Sequence, residues 1–472
     1  MSLSGRSRQP RRAQRPERVV FILGLVGMAI LSSAYFVASS VGRRVTPLSS
    51  SAAATAPKVA AISARRTPIN LSTITRVGSF QRALDAFAPQ IPSQSCLQVD
   101  WLGTTMKAIG QENSPIPAST TKIVTAAVAL EVLSPTYTFK TVVKTNGVPQ
   151  TGSIDNLYVI GGGDPIIART EYIASEKYST IHATALEKIV DAIVASGVRT
   201  ITGAIIVDDS RYDSNRFVDI WPDSFHFTEA GPLGALMVND GVIVGNPVKP
   251  DDPALAAAAE IGALLAMRGI TVALPPRRDI IPAEASDIAT IESAPLTNIV
   301  NEMLVNSDNN TAELLVKELG FVKKQQGTTA AGLAVIQETL AAWKLSDSVV
   351  INDGSGLSAT NQVPCSIFNR LLTKEVEQLP QLLPIAGTSG TLRDMFEDSA
   401  MSNRLLGKTG TLSGVKALAG YVPVDASEPV VFSLVLNKSS IDNKSAYRPI
   451  WNAFAVALSK ARSQPQADQL AP

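Results

Sequence analysis

Histidine is almost absent from this 472-residue chain, His182 and His226 being the only two. A Ser-His-Asp relay or a histidine-rich metal site therefore has little material. His182 precedes an ordinary amphipathic stretch and His226 lies in an aromatic loop, so both read as structural. Cysteine is as scarce. Cys96 and Cys365 allow one internal bridge in an oxidising compartment; two isolated buried thiols are the alternative, and sequence does not choose between them. Net charge is lacking too. With 42 basic and 41 acidic residues the chain carries +1, which gives no reason to expect nucleic acid or an acidic polymer as partner. No cofactor and no metal ion is expected.

The charge that is present is uneven. Arg6, Arg8, Arg11, Arg12, Arg15 and Arg18 precede an apolar run from Val19 to Ala38. Its length suits a bilayer-spanning helix, which needs roughly 20 residues. Basic residues on its N-terminal side leave residues 1–18 in the cytoplasm and export the remainder of the chain. A transmembrane anchor over residues 19–41 is the reading adopted, with the body outside the cell membrane. Ala38, Ser39 and Ser40 would suit a signal peptidase, giving a secreted body, but the run exceeds the usual apolar core of a cleaved signal. Residues 42–70, rich in Ser, Ala, Thr and Pro, read as a flexible linker, and the polar residues 463–472 as a disordered tail.

The remaining length is ample for more than one domain. A helical stretch near Phe80–Phe87 is followed by strands at Cys96–Leu102 and Thr105–Ile109, with Gly103 at the turn. A helix opens at Ser119 and stops at Pro135. It is apolar nearly all round, as a buried helix should be. Residues 140–282 change texture. Strands at Phe139–Lys144, Leu157–Ile160 and Ala204–Val207 alternate with helices at Leu186–Val194 and Ala254–Met267, the pattern of an inserted α/β domain. The run Gly161–Pro165 reads as a turn, since no phosphate-binding motif comes after it. Residues 283–462 then supply a helix from Leu296, a second from Thr311 to Leu319 closed by Gly320, strands at Val415–Val422 and Val430–Leu436, and a last helix at Ile450–Ala461. With residues 71–139 they make the two halves of one domain, and the fold class is α+β and multi-domain.

Three polar clusters stand out in this frame: Ser119-Thr120-Thr121-Lys122, Ser307-Asp308-Asn309 and Lys408-Thr409-Gly410-Thr411. Each alone is an ordinary helix start, turn or strand entry. In this order they are the S-x-x-K, S-D-N and K-T-G set of penicillin-recognising serine enzymes. A serine and a lysine three residues apart share a helix face, so Lys122 can reach the Ser119 hydroxyl. Lys122 acts as a base only when neutral, which requires burial, with a second cation at Lys408 adding to the effect. Ser307 is suited to relay a proton to a leaving amine. Asn309 is suited to hold either Lys122 or a substrate amide. Lys408, Thr409, Gly410 and Thr411 suit a terminal carboxylate, and backbone N–H groups of Ser119 and Thr411 an oxyanion.

Beyond the motifs, Gly161–Pro165, Val207-Asp208-Asp209-Ser210, Val238-Asn239-Asp240-Gly241, Asp353–Ser358 and Gly390-Thr391-Leu392 extend the likeness over roughly residues 93–458. The chain resembles the class C low-molecular-mass penicillin-binding proteins, the D-alanyl-D-alanine carboxypeptidase/endopeptidase family of serine peptidases. The resemblance implies an antiparallel sheet covered by helices, a helical lobe, and a domain inserted between the first and second motifs. It implies Ser119 as the acylated serine, Lys122 as base, Ser307 and Asn309 as the second motif, and Lys408, Thr409 and Thr411 as the carboxylate site. Peptidoglycan stem peptides are the implied substrates and β-lactams the implied inhibitors. A β-lactamase with the same motifs and a non-catalytic penicillin-sensing module are the rival readings. The long interval between Lys122 and Ser307 speaks against the first of them.

Overall fold

Phe80, Leu84 and Phe87 recur at helical spacing and bury one face of α1 (Ile69–Phe87). The Phe80 ring meets Trp101 edge-on and Phe87 stacks on Phe454, 5.8 and 5.1 Å between centroids. The computed structural model describes residues 69–146, 152–176, 178, 181–246, 248–424 and 427–462, together with 28–29 and 31–33. The described residues from 69 onward belong to one compact unit. The run expected to span a membrane lies outside the described residues except for 28–29 and 31–33, which are helical and exposed. Among the described residues no helix is long and apolar enough to cross a membrane. Most of the expected linker and the whole expected tail also lie outside them, although α1 already starts at Ile69.

After α1, β1 (Cys96–Trp101) and β2 (Thr104–Ile109) form a hairpin through Leu102 and Gly103, both at positive φ, as a tight two-residue turn requires. A single 3-10 turn, Ala118–Thr121, leads into α2 (Lys122–Leu133), which is buried on nearly every side. The middle region builds a mixed sheet from β3 (Lys140–Thr145), β4 (Leu157–Ile160), β5 (Ile205–Asp208), β6 (Arg277–Arg278) and β7 (Ser286–Glu292), in the order β6-β5-β4-β3-β7. Helix α3 (Leu186–Ala195) crosses between the parallel strands β4 and β5, and α4 (Pro253–Met267) between β5 and β6. Their apolar faces share one core with the sheet. Strand β7 pairs antiparallel with β3, so this sheet runs past the expected boundary at 282.

The chain then returns through α5 (Leu296–Asn306), α6 (Asn309–Lys324), α7 (Thr329–Ala342) and α8 (Cys365–Lys374) to β8 (Leu406–Leu412), β9 (Val415–Val424), β10 (Ser427–Asn437) and α9 (Lys444–Leu458). Five strands form an antiparallel sheet in the order β8-β9-β10-β1-β2. Alternation along β9 divides the domain. Ala417, Ala419 and Tyr421 face a core that includes α2 and α5–α8, whereas Leu418 and Val422 face one that includes α1 and α9. The expected fold, a helix-covered antiparallel sheet with a helical lobe, is what forms.

Local expectations needed correction. Gly320 does not close α6; the helix runs on to Lys324 and ends at Gln325, in the left-handed region at φ 57°. A Cβ on Gly320 would lie 2.9 Å from Ala331 Cβ and 2.8 Å from Gly332 N, so the glycine permits α7 to approach. Helices α7 and α8 lie outside the expected elements, although Ile367, Phe368, Leu371 and Leu372 bury one face of α8 behind the helix-starting Pro364. The third motif lies inside β8 rather than ahead of a strand. Helix α9 starts before Pro449 and tolerates it in its interior. The open question over the cysteines is settled: Cys96 of β1 and Cys365 of α8 are bridged, with Cα atoms 5.8 Å apart.

Candidate active site

Ala118 holds a left-handed φ of 49°, unusual for a residue with a side chain, and turns the chain so that Ser119 is half-buried at the mouth of α2. Hydrogen bonds hold the turn: Thr120 Oγ1 donates to Pro117 O at 2.6 Å and Thr121 Oγ1 to Ala118 O at 2.8 Å. One turn on, the fully buried Lys122 directs Nζ to three oxygens: Ser119 Oγ at 3.2 Å, Asn309 Oδ1 at 2.6 Å and Ser355 O at 2.6 Å. The last two are carbonyl oxygens and can only accept. A neutral amine gives them its two hydrogens and keeps its lone pair for the Ser119 hydroxyl. Burial lowers the Lys122 pKa to about 8, opposed by Asp353, Glu313, Asp308 and Glu229.

The Ser355 carbonyl is presented by the loop Asp353–Ser358, tied down from two sides. Glu313 of α6 accepts from Gly354 N at 3.0 Å and Ser355 N at 2.7 Å. Asp353 accepts from Gly356 N, Ser358 N, Asn361 Nδ2 and Trp221 Nε1 at 2.6–2.9 Å. Burial and the Asp353 charge push Glu313 up to about 7. Gly356 touches the nucleophile turn itself: a Cβ there would lie 2.0 Å from Ala118 O.

The second motif caps two helices. Ser307 ends α5 at φ 62°, and Asp308 begins α6 by accepting from Thr311 N. Burial and Asp240 push Asp308 up to about 6. Of the two roles open to Asn309, it takes the first: Oδ1 accepts from Lys122, while Nδ2 donates to Glu229 O at 2.8 Å. Ser307 Oγ accepts from Lys408 Nζ at 2.8 Å, which leaves the Ser307 proton free to donate. Lys408 is fully buried and also donates to Thr409 O at 2.8 Å. Its pKa lies well below the ordinary lysine value, through burial, then Lys122 and Lys416. The like-charge effect expected between Lys122 and Lys408 is seen in the lowered Lys408 pKa.

Strand β8 is the edge of its sheet and lies against the Ser119 turn. A Cβ on Gly410 would lie 2.7 Å from Pro117 O, so a bare backbone is needed there. Thr409 Oγ1 donates to Thr391 Oγ1 at 2.9 Å, and Thr411 Oγ1 accepts from Lys416 Nζ at 2.8 Å. Beside Ser307 and Asn309 opens a cleft of about 310 Å³, lined also by Tyr172, Glu176, Glu229, Asp240 and Glu302. His226 stacks on Phe217 and His182 sits beside Asn298. Among the described residues no group of three or more His, Cys, Asp or Glu is placed to hold a metal ion.

All three sequence clusters therefore meet. Sequence reasoning did not assign roles to the Ser355 carbonyl, Glu313, Asp353, Thr391 or Lys416. The run Asp353–Ser358 and Thr391 stood among the stretches of resemblance, but their roles depend on contacts across the fold.

A family model described as the D-Ala-D-Ala carboxypeptidase 3 (S13) family matches residues 93–250 and 245–458. A D-alanyl-D-alanine carboxypeptidase of Actinomadura sp. strain R39 is 29% identical over 431 residues, covering 73% of this chain and 77% of that protein. The crystal structure of penicillin binding protein 4 from Haemophilus influenzae shares the fold, with TM-score 0.64 and 19% identity over 80% of this chain and 97% of that one. A penicillin G-acylated predatory endopeptidase of Bdellovibrio bacteriovorus also shares it, with TM-score 0.52 and 16% identity over 80% and 94% of the two chains.

Proposed function

The chain belongs to the D-Ala-D-Ala carboxypeptidase 3 (S13) family, and we infer that Ser119 is the residue its substrate acylates. The protein is a serine-type D-Ala-D-Ala carboxypeptidase, a hydrolase of peptidoglycan stem peptides. In this reading the Ser119 proton passes to the Lys122 lone pair as Oγ attacks the penultimate D-alanine carbonyl. Backbone N–H groups of Ser119 and Thr411 hold the oxyanion. Ser307, fixed by Lys408, hands a proton to the departing D-alanine nitrogen as the peptide bond breaks. Water then hydrolyses the ester on Ser119. Lys408, Thr409 and Thr411 receive the substrate's terminal carboxylate. A β-lactam opens on the same serine.

One observation carries this reading: Lys122 Nζ is held between the nucleophile and two carbonyl acceptors. The test is D-alanine release from a D-Ala-D-Ala pentapeptide by the full chain and by Ser119→Ala. The variant is expected to lose at least about 10³-fold in rate and all labelling by fluorescent penicillin. Undiminished release by the variant would sink the assignment, and rapid turnover of bound penicillin would favour a β-lactamase.

In this reading the body lies outside the cytoplasm, tethered by the apolar run after the six arginines. The Cys96–Cys365 bridge supports an oxidising compartment. Alkaline phosphatase fused after residue 70 should be active on cells and remain with membranes. An inactive fusion would refute export, and a freely released one would refute the anchor.

A further inference from the structure

Lys416 belongs to none of the three motifs, yet it touches one of them. It stands directly opposite Thr411 in the β8–β9 ladder and donates from Nζ to Thr411 Oγ1 at 2.8 Å. It reaches this point from the face of the sheet that packs against α9: Nζ lies 4.2 Å from the Tyr447 ring centre and 5.1 Å from that of Trp451. Lys408 lies opposite Ala419, whose side chain faces the other core. The side chains of Lys408 and Lys416 thus lie on opposite faces of the sheet at its edge.

We propose that Lys416 is a positioning residue for the substrate carboxylate, acting by fixing which way the Thr411 hydroxyl points. A hydroxyl that accepts from an ammonium must aim its own O–H elsewhere. Thr411 is exposed at the sheet edge, so that proton is open to an incoming group that can only accept. A carboxylate is such a group. Lys416 itself is 7% exposed, and burying a cation is costly unless it is paired. The aromatic faces and the Thr411 oxygen offset part of that cost. Burial lowers its pKa to about 8, with Asp442 opposing and Arg448 and Lys444 adding to the fall. An anion held at Thr411 would restore the full cation.

The proposal rests on Thr411 receiving the carboxylate, and the test separates the two. Lys416→Met keeps an aliphatic stem over the rings and removes the donor. In the full chain it should raise KM for a D-Ala-D-Ala peptide about tenfold with kcat changed less than about twofold. Acylation by benzylpenicillin, which bears a carboxylate, should slow by a similar factor. Acylation by a thioester whose leaving group carries none should be unaffected. Lys416→Arg should recover most of the KM, and in a Thr411→Val background Lys416→Met should add nothing. An unchanged KM, an equal loss on all three substrates, or full additivity with Thr411→Val would overturn the proposal. If Lys416→Met does not fold, the shorter Lys416→Gln takes its place in the same comparison. Absence of D-alanine release by the wild-type chain would count against the carboxypeptidase reading, and the penicillin-to-thioester ratio would still judge Lys416.

Discussion

In the proposed reaction Lys122 acts as a base only while the lone pair of its amine is free. Its pKa of about 8 leaves roughly a tenth of the groups neutral at pH 7. Acylation by penicillin should therefore climb about tenfold per unit through the acidic range and level off above about pH 8. Lys408, whose pKa is lowered by burial and by two lysines, should bring the rate down where it loses its proton, at a pH below the ordinary lysine value. A rate independent of pH between 6 and 8 would contradict a lysine base. Asn309→Asp tests the same balance. It would set a carboxylate 2.6 Å from Nζ, favour the ammonium, and move the acidic midpoint upward with a loss of about tenfold or more at pH 7. An unmoved midpoint would mean that Asn309 does not set the state of Lys122.

At the scale of elements, two close approaches hold the site in shape. Helices α6 and α7 cross where Gly332 meets Val316: an added Cβ would lie 1.9 Å from Val316 O. Gly332→Ala should cost about 2–3 kcal/mol, read from the denaturant midpoint, because backbone and not a flexible side chain would have to move. The second approach joins the loop Asp353–Ser358 to the nucleophile turn. Gly356→Ala adds a Cβ at φ 84°, 2.0 Å from Ala118 O and 2.9 Å from Ser119 N. Displacing Ser119 by about 1 Å is worth about 10² in rate. Penicillin acylation should fall by that order, and by more than any loss of stability explains. A variant that is as stable and as reactive as wild type would show that this contact is not needed.

At the scale of the whole molecule, the Cys96–Cys365 bridge ties the central sheet to the helical lobe across a sequence separation of 269. Loops of such length give a bridge its largest effect on the unfolded chain, on the order of 2–5 kcal/mol. Reduction, or Cys96→Ser with Cys365→Ser, should lower the denaturant midpoint accordingly while penicillin binding persists in the folded fraction. Equal midpoints with and without reductant would show that the bridge adds no stability. The same scale explains where sequence reading succeeded. Strands β1, β4 and β9 and helices α3 and α4 announce themselves through alternation, period and punctuation within a dozen residues. Gly320 has an ordinary local meaning as a helix stop, which close helix approach overrides, and α9 starts ahead of the expected Ile450 because its buried face carries it through Pro449.

Ser119 and Lys122 come within reach because a helical turn puts residues three apart on one face. The order and composition of the three clusters together sufficed to name the family. Only the folded molecule could decide that Asn309 and the Ser355 carbonyl occupy both hydrogens of the Lys122 amine, that Cys96 reaches Cys365, and that Lys416 lies against Thr411. The first two are contacts between residues more than a hundred positions apart. The third crosses a hairpin, where register decides which residue stands opposite Thr411 and the packing of α9 decides where the Lys416 ammonium comes to rest.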